Sequence, residues 1–289
     1  MRSAWYSILG VPVAVVSNVV AALECVDATY AAFRAAPGAA DSAFVAQLSK
    51  LDAEGAYLVS DSRGYQHRWM DAQAGLLDLL DRIVHGLLAR LHDRGIYAIH
   101  AGAVAYRDTA LIIAGRSGQG KTTLVLGLLR RGLGLLSDEF AVVDPAAQLI
   151  QPYRRSLHVR PGTPELIPEL RFLRDRPQLR LGGGIEWSLT PAELEQALPG
   201  RLAEAAPLAH VLLLDGAPRP GAGPQIEALS PAVATIELLR GTWAASVDFA
   251  GGLARIGQLL DGVACARLRA GALEPTVDAV VEWLEAEHG

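Results

Sequence analysis

The sequence predicts an α/β protein with a mixed β-sheet at its centre and a small α+β domain before it. A glycine-rich segment, residues 115–120, lies between an apolar run typical of a strand and a run with helical periodicity. Hairpin patterns stand on both sides of that unit, so the strands cannot all be parallel. The 289-residue length and the 51% hydrophobic content allow a large buried core.

The first 70 residues are expected to form the small α+β domain, and residues 71–289 the main domain. Short apolar runs separated by turn signals indicate strands in the first part. Its predicted elements are strands over Tyr6–Val16, Ala56–Val59 and Tyr65–Trp69 and a short helix capped by Asp27 and continuing to Arg34. Apolar residues at helical spacing then predict a helix over Ala72–Arg94 that ends at Gly95.

The main domain alternates strand and helix patterns. Its first predicted elements are strands over Ile96–Tyr106 and Ala110–Ala114, a helix over Thr122–Arg131, a strand over Leu133–Leu136, and a hairpin of Phe140–Val143 with Gln148–Ile150. Further on, the capping-box pattern Thr190-Pro191-Ala192-Glu193 predicts a helix through Leu198. The remaining predictions are a strand over His210–Leu214 and helices over Pro231–Leu239, Gly252–Leu260 and Thr276–Glu287.

Charge and cysteine content exclude several classes of protein. The net charge is −5, and the cations are 24 arginines spread along the chain and two lysines, Lys50 and Lys121, so no nucleic-acid surface is expected. Two cysteines without a Cys-x-x-Cys pattern leave no basis for a disulfide framework or a cysteine zinc site, and they suit a reducing cytoplasm. Pro12 and the Ser17-Asn18 pair interrupt the apolar stretch near the start, so we expect neither a signal peptide nor a membrane span there.

The segment Gly115-Arg116-Ser117-Gly118-Gln119-Gly120-Lys121-Thr122 matches the phosphate-binding pattern G-x-x-x-x-G-K-[ST] in full. Glycines let successive backbone N–H groups curl around a phosphate, and the following helix presents its positive end. Lys121 would neutralise phosphate oxygens, and the Thr122 hydroxyl would bind Mg²⁺. The alternative is a glycine-rich turn that binds nothing, but the strand before it and the helix after it favour the phosphate loop.

Two further features are expected near this loop. The strand after the helix should return beside the strand before it by a right-handed crossover, which brings Asp138 and Glu139 to the loop. One carboxylate could hold Mg²⁺ and the other accept a proton, although a solvated acidic turn is the alternative. Hairpin pairing also places His100 toward the same end, where it is either a site residue or a structural histidine.

Together, these segments resemble the catalytic core of the HPr kinase/phosphorylase superfamily, bacterial protein-serine kinases related in fold to phosphoenolpyruvate carboxykinase. The similarity rests on Ile99-His100-Ala101-Gly102, the loop Gly115–Thr122 and Leu135-Leu136-Ser137-Asp138-Glu139. The segment Leu229–Gly241 is similar to a helix region of divergent members that modify peptides, including lasso-peptide kinases. The resemblance implies a mixed-sheet P-loop kinase core.

The sequence departs from the family pattern at three places. Ala101 separates the histidine from Gly102, and Glu139 stands where the acidic pair usually has a second Asp. In Arg160-Pro161-Gly162-Thr163, the family places a functional arginine where this chain has Thr163. Reverse phosphorylase activity is therefore open, and Arg155 or Arg160 is a candidate to replace that charge.

The resemblance implies an ATP- and Mg²⁺-dependent kinase that phosphorylates a hydroxyl, expected to be a serine of a peptide or protein. A small-molecule kinase and a non-catalytic nucleotide-binding ATPase switch are the alternatives, and relatives suggest a homo-oligomer. The predicted nucleotide-binding residues are Gly115, Ser117, Gly118, Gln119, Gly120, Lys121, Thr122 and Thr123. The predicted catalytic residues are Asp138, His100 and Lys121, and the predicted metal ligands are Thr122, Glu139 and Asp138, with the division of roles within the acidic pair left open. Gly182-Gly183-Gly184 with Trp187, together with the arginines at 171–180, would form either a mobile lid or a plain flexible loop.

Overall fold

A computed structural model of the protein describes residues 1–38, 43–51, 55–181, 184–219, 221–242 and 248–287. These residues form three β-sheets with helices packed against them. In chain order the first elements are β1 (Arg2–Ile8), β2 (Val11–Ser17), α1 (Val20–Tyr30), β3 (Phe44–Leu51), β4 (Ala56–Asp61), β5 (Gln66–Trp69) and α2 (Ala72–Asp93). The next are β6 (Tyr97–Tyr106), β7 (Thr109–Ala114), α3 (Lys121–Arg130), β8 (Gly134–Ser137), β9 (Phe140–Asp144), β10 (Leu149–Gln151), β11 (Leu157–Val159), α4 (Thr163–Leu166), β12 (Leu179–Leu181) and β13 (Gly184–Leu189). The last are α5 (Pro191–Ala197), β14 (Ala206–Leu214), β15 (Gln225–Ala228), α6 (Pro231–Arg240), α7 (Phe249–Leu259), β16 (Ala264–Arg269) and α8 (Leu273–Glu287).

The N-terminal sheet has the order β1-β2-β3-β4-β5, in which β2 and β3 are parallel and the other neighbours are antiparallel. The predicted single strand over Tyr6–Val16 is wrong, because Leu9 and Gly10 both have positive φ and close a tight hairpin turn between β1 and β2. The predicted strands at Ala56–Val59 and Tyr65–Trp69 are confirmed as β4 and β5.

The helix predicted from Asp27 is also wrong. Asp27 lies in the last turn of α1, where its carboxylate accepts a hydrogen bond from the Tyr6 hydroxyl at 2.9 Å and forms an ion pair with Arg34. A short 3₁₀ turn, Ala31–Phe33, follows the helix. The Asp27 carboxylate therefore binds Tyr6 and Arg34 and does not cap a helix.

The predicted helix over Ala72–Arg94 is confirmed as α2, and Asp71 caps it by accepting a hydrogen bond from the Ala74 N–H. Its apolar face packs against β2, β3 and β4, and Leu79, Ile83 and Leu87 are buried in the same cluster as Phe44. That cluster also contains Phe140 and Tyr153 from the main part of the chain, so the core is continuous between the two. The division at residues 70 and 71 stays a prediction.

The largest sheet has the order β10-β9-β6-β7-β14-β16-β15, with β8 paired to β6. It is mixed, as predicted: β14 is parallel to β7 and β16, whereas β6 is antiparallel to its neighbours. Alternate residues of β7 face opposite ways, so Leu111 and Ile113 pack toward α3 and α8 while Ile112 packs toward α6 and α7. Both faces of this sheet are covered by helices.

The predicted pairing of the strands around the glycine-rich segment is wrong in one respect. We expected β8 to lie directly beside β7, but β6 lies between them, because β6 and β14 occupy the two edges of β7. The carboxyl ends still meet: Ala114 pairs with Ala101, and Ser137 pairs with Ala103, two residues further along β6. Helix α3 therefore bridges over β6 and returns the chain to the same end of the sheet.

The remaining predicted helices are confirmed, some with shifted ends. The capping box at Thr190 and Glu193 opens α5, and α6 agrees with the prediction to one residue. Helix α7 begins three residues earlier than predicted because the Asp248 carboxylate caps it, and α8 also begins three residues earlier. Strands β3, β12, β13, β15 and β16 were not predicted. Within the described ranges, no helix is both long enough and apolar enough to span a bilayer.

The contact between α2 and β3 gives a stability prediction. A Cβ at Gly86 would collide with the fully buried ring of Phe44, so we expect Gly86→Ala to destabilise the protein by about 1–3 kcal/mol. Gly257 in α7 has nothing within 4 Å of an added Cβ, so Gly257→Ala should stabilise the protein by up to about 1 kcal/mol. Urea unfolding of both variants measures the difference, and a stable Gly86→Ala would contradict the proposed packing.

Candidate active site

A cleft of about 240 Å³ opens at the end of the large sheet where β7 and β8 finish and α3 begins. Strands β11 and β13 form its far side. The lining residues are His100, Ser117, Gly118, Gly120, Lys121, Thr122, Thr123, Asp138, Glu139, Arg155, His158, Arg160, Thr163 and Glu186.

Residues Gly115–Gly120, hereafter the glycine loop, connect β7 to α3 along one side of the cleft. Gly118 and Gly120 have φ of +82° and +91°, a region that residues with a Cβ rarely adopt, and Gly120 caps α3. A Cβ at Gly115 would lie 2.9 Å from the Leu214 Cβ, so glycine is also required where the loop leaves the sheet. The result is a tight curl that presents the N-terminus of α3 to the cleft.

Lys121 lies at the base of this curl with only 8% of its surface exposed. Its ammonium donates hydrogen bonds to two carbonyl oxygens of the glycine loop, those of Gly115 at 2.7 Å and Arg116 at 3.3 Å. Burial lowers the pKa of Lys121, and the charge of Glu139 partly opposes that effect. The glycine loop therefore holds the Lys121 side chain at the cleft.

The acidic pair follows β8 in a turn fixed by Ser137. The Ser137 hydroxyl oxygen accepts hydrogen bonds from the N–H groups of Glu139 at 3.2 Å and Phe140 at 3.1 Å. Asp138 is 4% exposed, and among the described residues its Oδ1 has no hydrogen-bond partner. Burial raises the pKa of Asp138 to about 6, with the charge of Glu139 adding to the effect and Arg155 opposing it.

Glu139 has the opposite environment. Its Oε2 lies 2.6 Å from Arg155 Nη2, and its Oε1 lies 3.6 Å from His100 Nδ1. Burial by itself would raise the pKa of Glu139, but the charges of Arg155, His100 and Lys121 outweigh it and lower that pKa. The two neighbouring carboxylates are thus driven apart in acidity, a pattern found where paired carboxylates have different tasks.

His100 faces Glu139 from the neighbouring strand β6. Its backbone N–H donates to the Gly241 oxygen at 2.8 Å, and its ring meets the Phe140 ring edge-on at 5.8 Å. Burial lowers the pKa of His100, the charge of Glu139 raises it, and Lys121 and Arg155 lower it further. The side chain is 42% exposed, so it can reach a molecule in the cleft.

The structure brings most of the predicted site residues together. His100, Lys121, Asp138 and Glu139 line one cleft with Ser117, Gly118, Gly120, Thr122 and Thr123. Gly115 and Gln119 lie in the loop but do not line the cleft, and the Gln119 side chain instead accepts a hydrogen bond from the Arg116 N–H at 2.5 Å. The roles of all these residues stay predictions.

Arg155 and Arg160, the two candidate replacement charges, both reach the cleft. Arg155 is buried, and the charges of Glu139 and Asp138 raise its pKa although burial opposes them. Its Nη1 lies 3.2 Å from His158 Nδ1, and burial together with the Arg155 charge lowers the pKa of His158 to about 2. His158 is therefore neutral, and with Nδ1 accepting from Arg155 its other ring nitrogen can donate to the Thr29 hydroxyl oxygen at 3.3 Å.

Sequence reasoning missed Glu186 and did not anticipate the position of Thr163. Glu186 is 7% exposed and lies 3.3 Å from Arg160 through Oε1. The available signal was a carboxylate two residues before Ser188, on the opposite face from Trp187 and Leu189, but β13 itself was not predicted. Thr163, which follows Arg160-Pro161-Gly162, places its hydroxyl 3.3 Å from that of Thr123.

The predicted lid, which comprises Gly182–Gly184, Trp187 and the arginines at 171–180, is contradicted at Trp187. Part of it lies outside the described residues. Trp187 is 5% exposed and belongs to the main apolar core, so it is not part of a lid. Two of the arginines are held in ion pairs, Arg174 with Glu165 and Arg176 with Glu193. Gly182 and Gly183 lie outside the described residues.

No protein-family model and no curated protein matches the chain. Among solved structures, one described as the HPr(Ser) kinase/phosphatase from Coxiella burnetii overlaps with 66% of this chain and 97% of that chain. The two share 13% sequence identity, and the TM-score is 0.30. A TM-score of 0.30 is too low to support an inference about this chain. Its function therefore has to be inferred from its own residues.

The oxygen atoms in the cleft fit Mg²⁺ better than a transition metal. Within the ranges that the structure describes, no group of three His, Cys, Asp or Glu side chains is arranged to hold a metal by itself. Magnesium needs no such cage, since it binds through one or two carboxylates together with phosphate oxygens and water. Thr122 and the unpartnered oxygen of Asp138 are suitable donors beside the glycine loop.

The environment of Asp138 predicts how stability depends on pH. A folded-state pKa near 6, raised from 3.8, means that ionised Asp138 destabilises the fold above about pH 6 and that this cost disappears as the pH falls below about 4. In the metal-free protein, Asp138→Asn should therefore raise the free energy of unfolding by about 3 kcal/mol at pH 8 and by much less at pH 4. Urea unfolding in the presence of a chelator measures both values. A gain that is the same at the two pH values would contradict the burial of an ionising carboxylate.

Proposed function

We propose that the protein is an ATP- and Mg²⁺-dependent kinase that transfers the γ-phosphoryl group to a hydroxyl. The observation that carries the proposal is the position of Asp138, a buried carboxylate with an unpartnered oxygen, in the same cleft as the glycine loop and Lys121. A phosphate-binding loop alone fits any nucleotide-binding protein. A carboxylate with a raised pKa next to it supports proton transfer from an attacking hydroxyl.

In this proposal the nucleotide phosphates bind at the N-terminus of α3. The backbone N–H groups of Gly118 and Gly120 and the helix dipole attract the phosphates, and the Lys121 ammonium exchanges its two carbonyl partners for phosphate oxygens. Bound Mg²⁺ would neutralise phosphate charge, with Thr122 and Glu139 supplying oxygen ligands.

The acidic pair divides the remaining work. Glu139, whose pKa is lowered by Arg155 and His100, stays ionised and is a poor base, which suits metal binding. Asp138, whose pKa is about 6, can accept the proton of the acceptor hydroxyl near neutral pH. His100 is close enough to Glu139 to orient it and sufficiently exposed to contact the transferred group.

For the acceptor, we propose a serine hydroxyl of a peptide or protein. The sequence motifs around His100, the glycine loop and Asp138 support this class because they resemble those of protein-serine kinases. Both cysteines, Cys25 and Cys265, are buried and unpaired, which suits the cytoplasm as the proposed location.

The two lysines of the chain allow a matched test of the nucleotide site. Lys121→Ala should abolish both the MgATP-induced rise in melting temperature and phosphoryl transfer, because the phosphates lose their buried cation. Lys50 lies on β3 in the N-terminal sheet, so Lys50→Ala should retain both. Thermal melting with and without MgATP provides the measurement, and an unchanged MgATP response in Lys121→Ala would contradict the site.

The acceptor class is tested separately with ATP labelled at the γ-phosphate. Incubation with serine-containing peptides and, in parallel, with a pool of hydroxylated metabolites should transfer label to peptides. Label in metabolites alone would favour a small-molecule kinase. ADP release without any labelled acceptor in either pool would favour an ATPase switch and would overturn the proposed transfer.

A further inference from the structure

Strands β11 and β13 carry a row of polar side chains on the face that borders the cleft. His158 pairs with Ser188 across the two strands, and Val159 pairs with Trp187. Because successive residues of a strand point to opposite faces, Val159 and Trp187 enter the apolar core, whereas His158 and Ser188 lie on the other side. Arg160 and Glu186 are the next residues on that polar side, and they form an ion pair.

Glu186 is a buried carboxylate, and among the described residues Arg160 is its one permanently charged partner. Its Oε1 lies 3.3 Å from Arg160 Nε, and its Oε2 lies 3.6 Å from His158 Nδ1. Burial and the charge of Arg155 lower the pKa of His158 and keep it neutral, so it supplies no charge to Glu186. A buried carboxylate without compensation is costly, which leaves Arg160 as the cation that Glu186 retains.

Arg160 uses only part of its hydrogen-bonding capacity in this ion pair. The contact is made by Nε, and in the described parts of the chain its two Nη groups make no other hydrogen bond or ion pair. The side chain is 46% exposed and lines the same cleft as Lys121. The guanidinium therefore borders the cleft to which the glycine loop presents the N-terminus of α3.

We propose that Glu186 is a positioning residue: it holds Arg160 through Nε so that the two Nη groups face the terminal phosphate of a nucleotide bound at the glycine loop. The inference rests on the proposed function and deepens it by naming which part of the nucleotide this wall of the cleft recognises. A guanidinium held at Nε presents its Nη donors as a planar fork, which matches two oxygens of one phosphate group.

This arrangement predicts discrimination between a nucleoside triphosphate and a diphosphate. Arg160 would contact the third phosphate and not the first two, which bind at the glycine loop. A pair that only stabilises the β11–β13 sheet would instead affect both nucleotides equally. Calorimetric titration with MgADP and with the Mg²⁺ complex of a non-hydrolysable ATP analogue separates the two roles.

We expect Arg160→Ala and Glu186→Gln each to weaken binding of the triphosphate analogue by about 10-fold, with MgADP affinity changed by less than about 2-fold. A variant that combines Arg160→Ala with Glu186→Gln should bind the triphosphate analogue as tightly as Arg160→Ala alone, because Glu186 acts through Arg160. Arg176→Ala is the matched control, since Arg176 also pairs with a glutamate, Glu193, but does not line the cleft. It should bind both nucleotides as the unaltered protein does.

The outcomes separate this inference from the proposed function. If the unaltered protein binds neither nucleotide, the proposed function fails and the inference fails with it. If the unaltered protein binds both nucleotides, and the variants lose affinity for both equally or for neither, only the role of Glu186 and Arg160 is overturned. Should Glu186→Gln fail to fold, Arg160→Lys, which keeps the charge but lacks the fork, must show the same selective loss for the inference to stand.

Discussion

The buried guanidinium of Arg155 supplies positive charge to two adjacent carboxylates at the cleft. Its Nη2 lies 2.6 Å from Glu139, and its charge also favours the ionised form of Asp138. Without Arg155, the ionised form of the buried Asp138 would lose a stabilising charge, and Glu139 would lose its ion-pair partner. Because Arg155 contacts Glu139 directly and Asp138 only at longer range, the pKa of Glu139 is lowered while that of Asp138 is raised.

The N-terminal part of the chain supports the site through contacts of helix α1 with residues near Arg155. The last turn of α1 offers its backbone oxygens to the main part: Thr29 accepts from the Ser156 N–H at 2.9 Å, and Ala28 accepts from the Ser188 hydroxyl at 2.6 Å. The Thr29 hydroxyl also meets His158. Helix C-termini carry unsatisfied carbonyls, and here they fix the two strands that carry the polar wall of the cleft. Helix α1 is thus part of the support for the site.

Short sequence patterns correctly predicted the elements that depend only on residues close together in the chain. Helix α2, the capping box at Thr190 and the unit of strand, glycine loop and helix each depend on residues a few positions apart, and each is present as predicted. The misplaced helix at Asp27 arose because a carboxylate suits a cap and a tertiary ion pair equally well in sequence. The position of β6 between β7 and β8 depends on which strand edges are already occupied, which no local pattern records.

The candidate site divides in the same way. Lys121 and the acidic pair follow recognisable motifs, so they could be named from the sequence. Glu186 comes to the cleft only because β13 pairs with β11, and its polar character is explained by Arg160, which lies 26 residues earlier. Pairing between short strands that are distant in sequence gives little periodic signal, and this is the reason that Glu186 was missed.

The proposed site binds nucleotide phosphates between the glycine loop and Asp138. A crystal structure with Mg²⁺ and a non-hydrolysable ATP analogue would show this arrangement. In that structure, we expect the Lys121 ammonium to leave the Gly115 and Arg116 oxygens for the terminal phosphate, and this phosphate to face Asp138 across the cleft. An analogue bound elsewhere on the protein, or one whose terminal phosphate points away from the acidic pair, would rule out this nucleotide site.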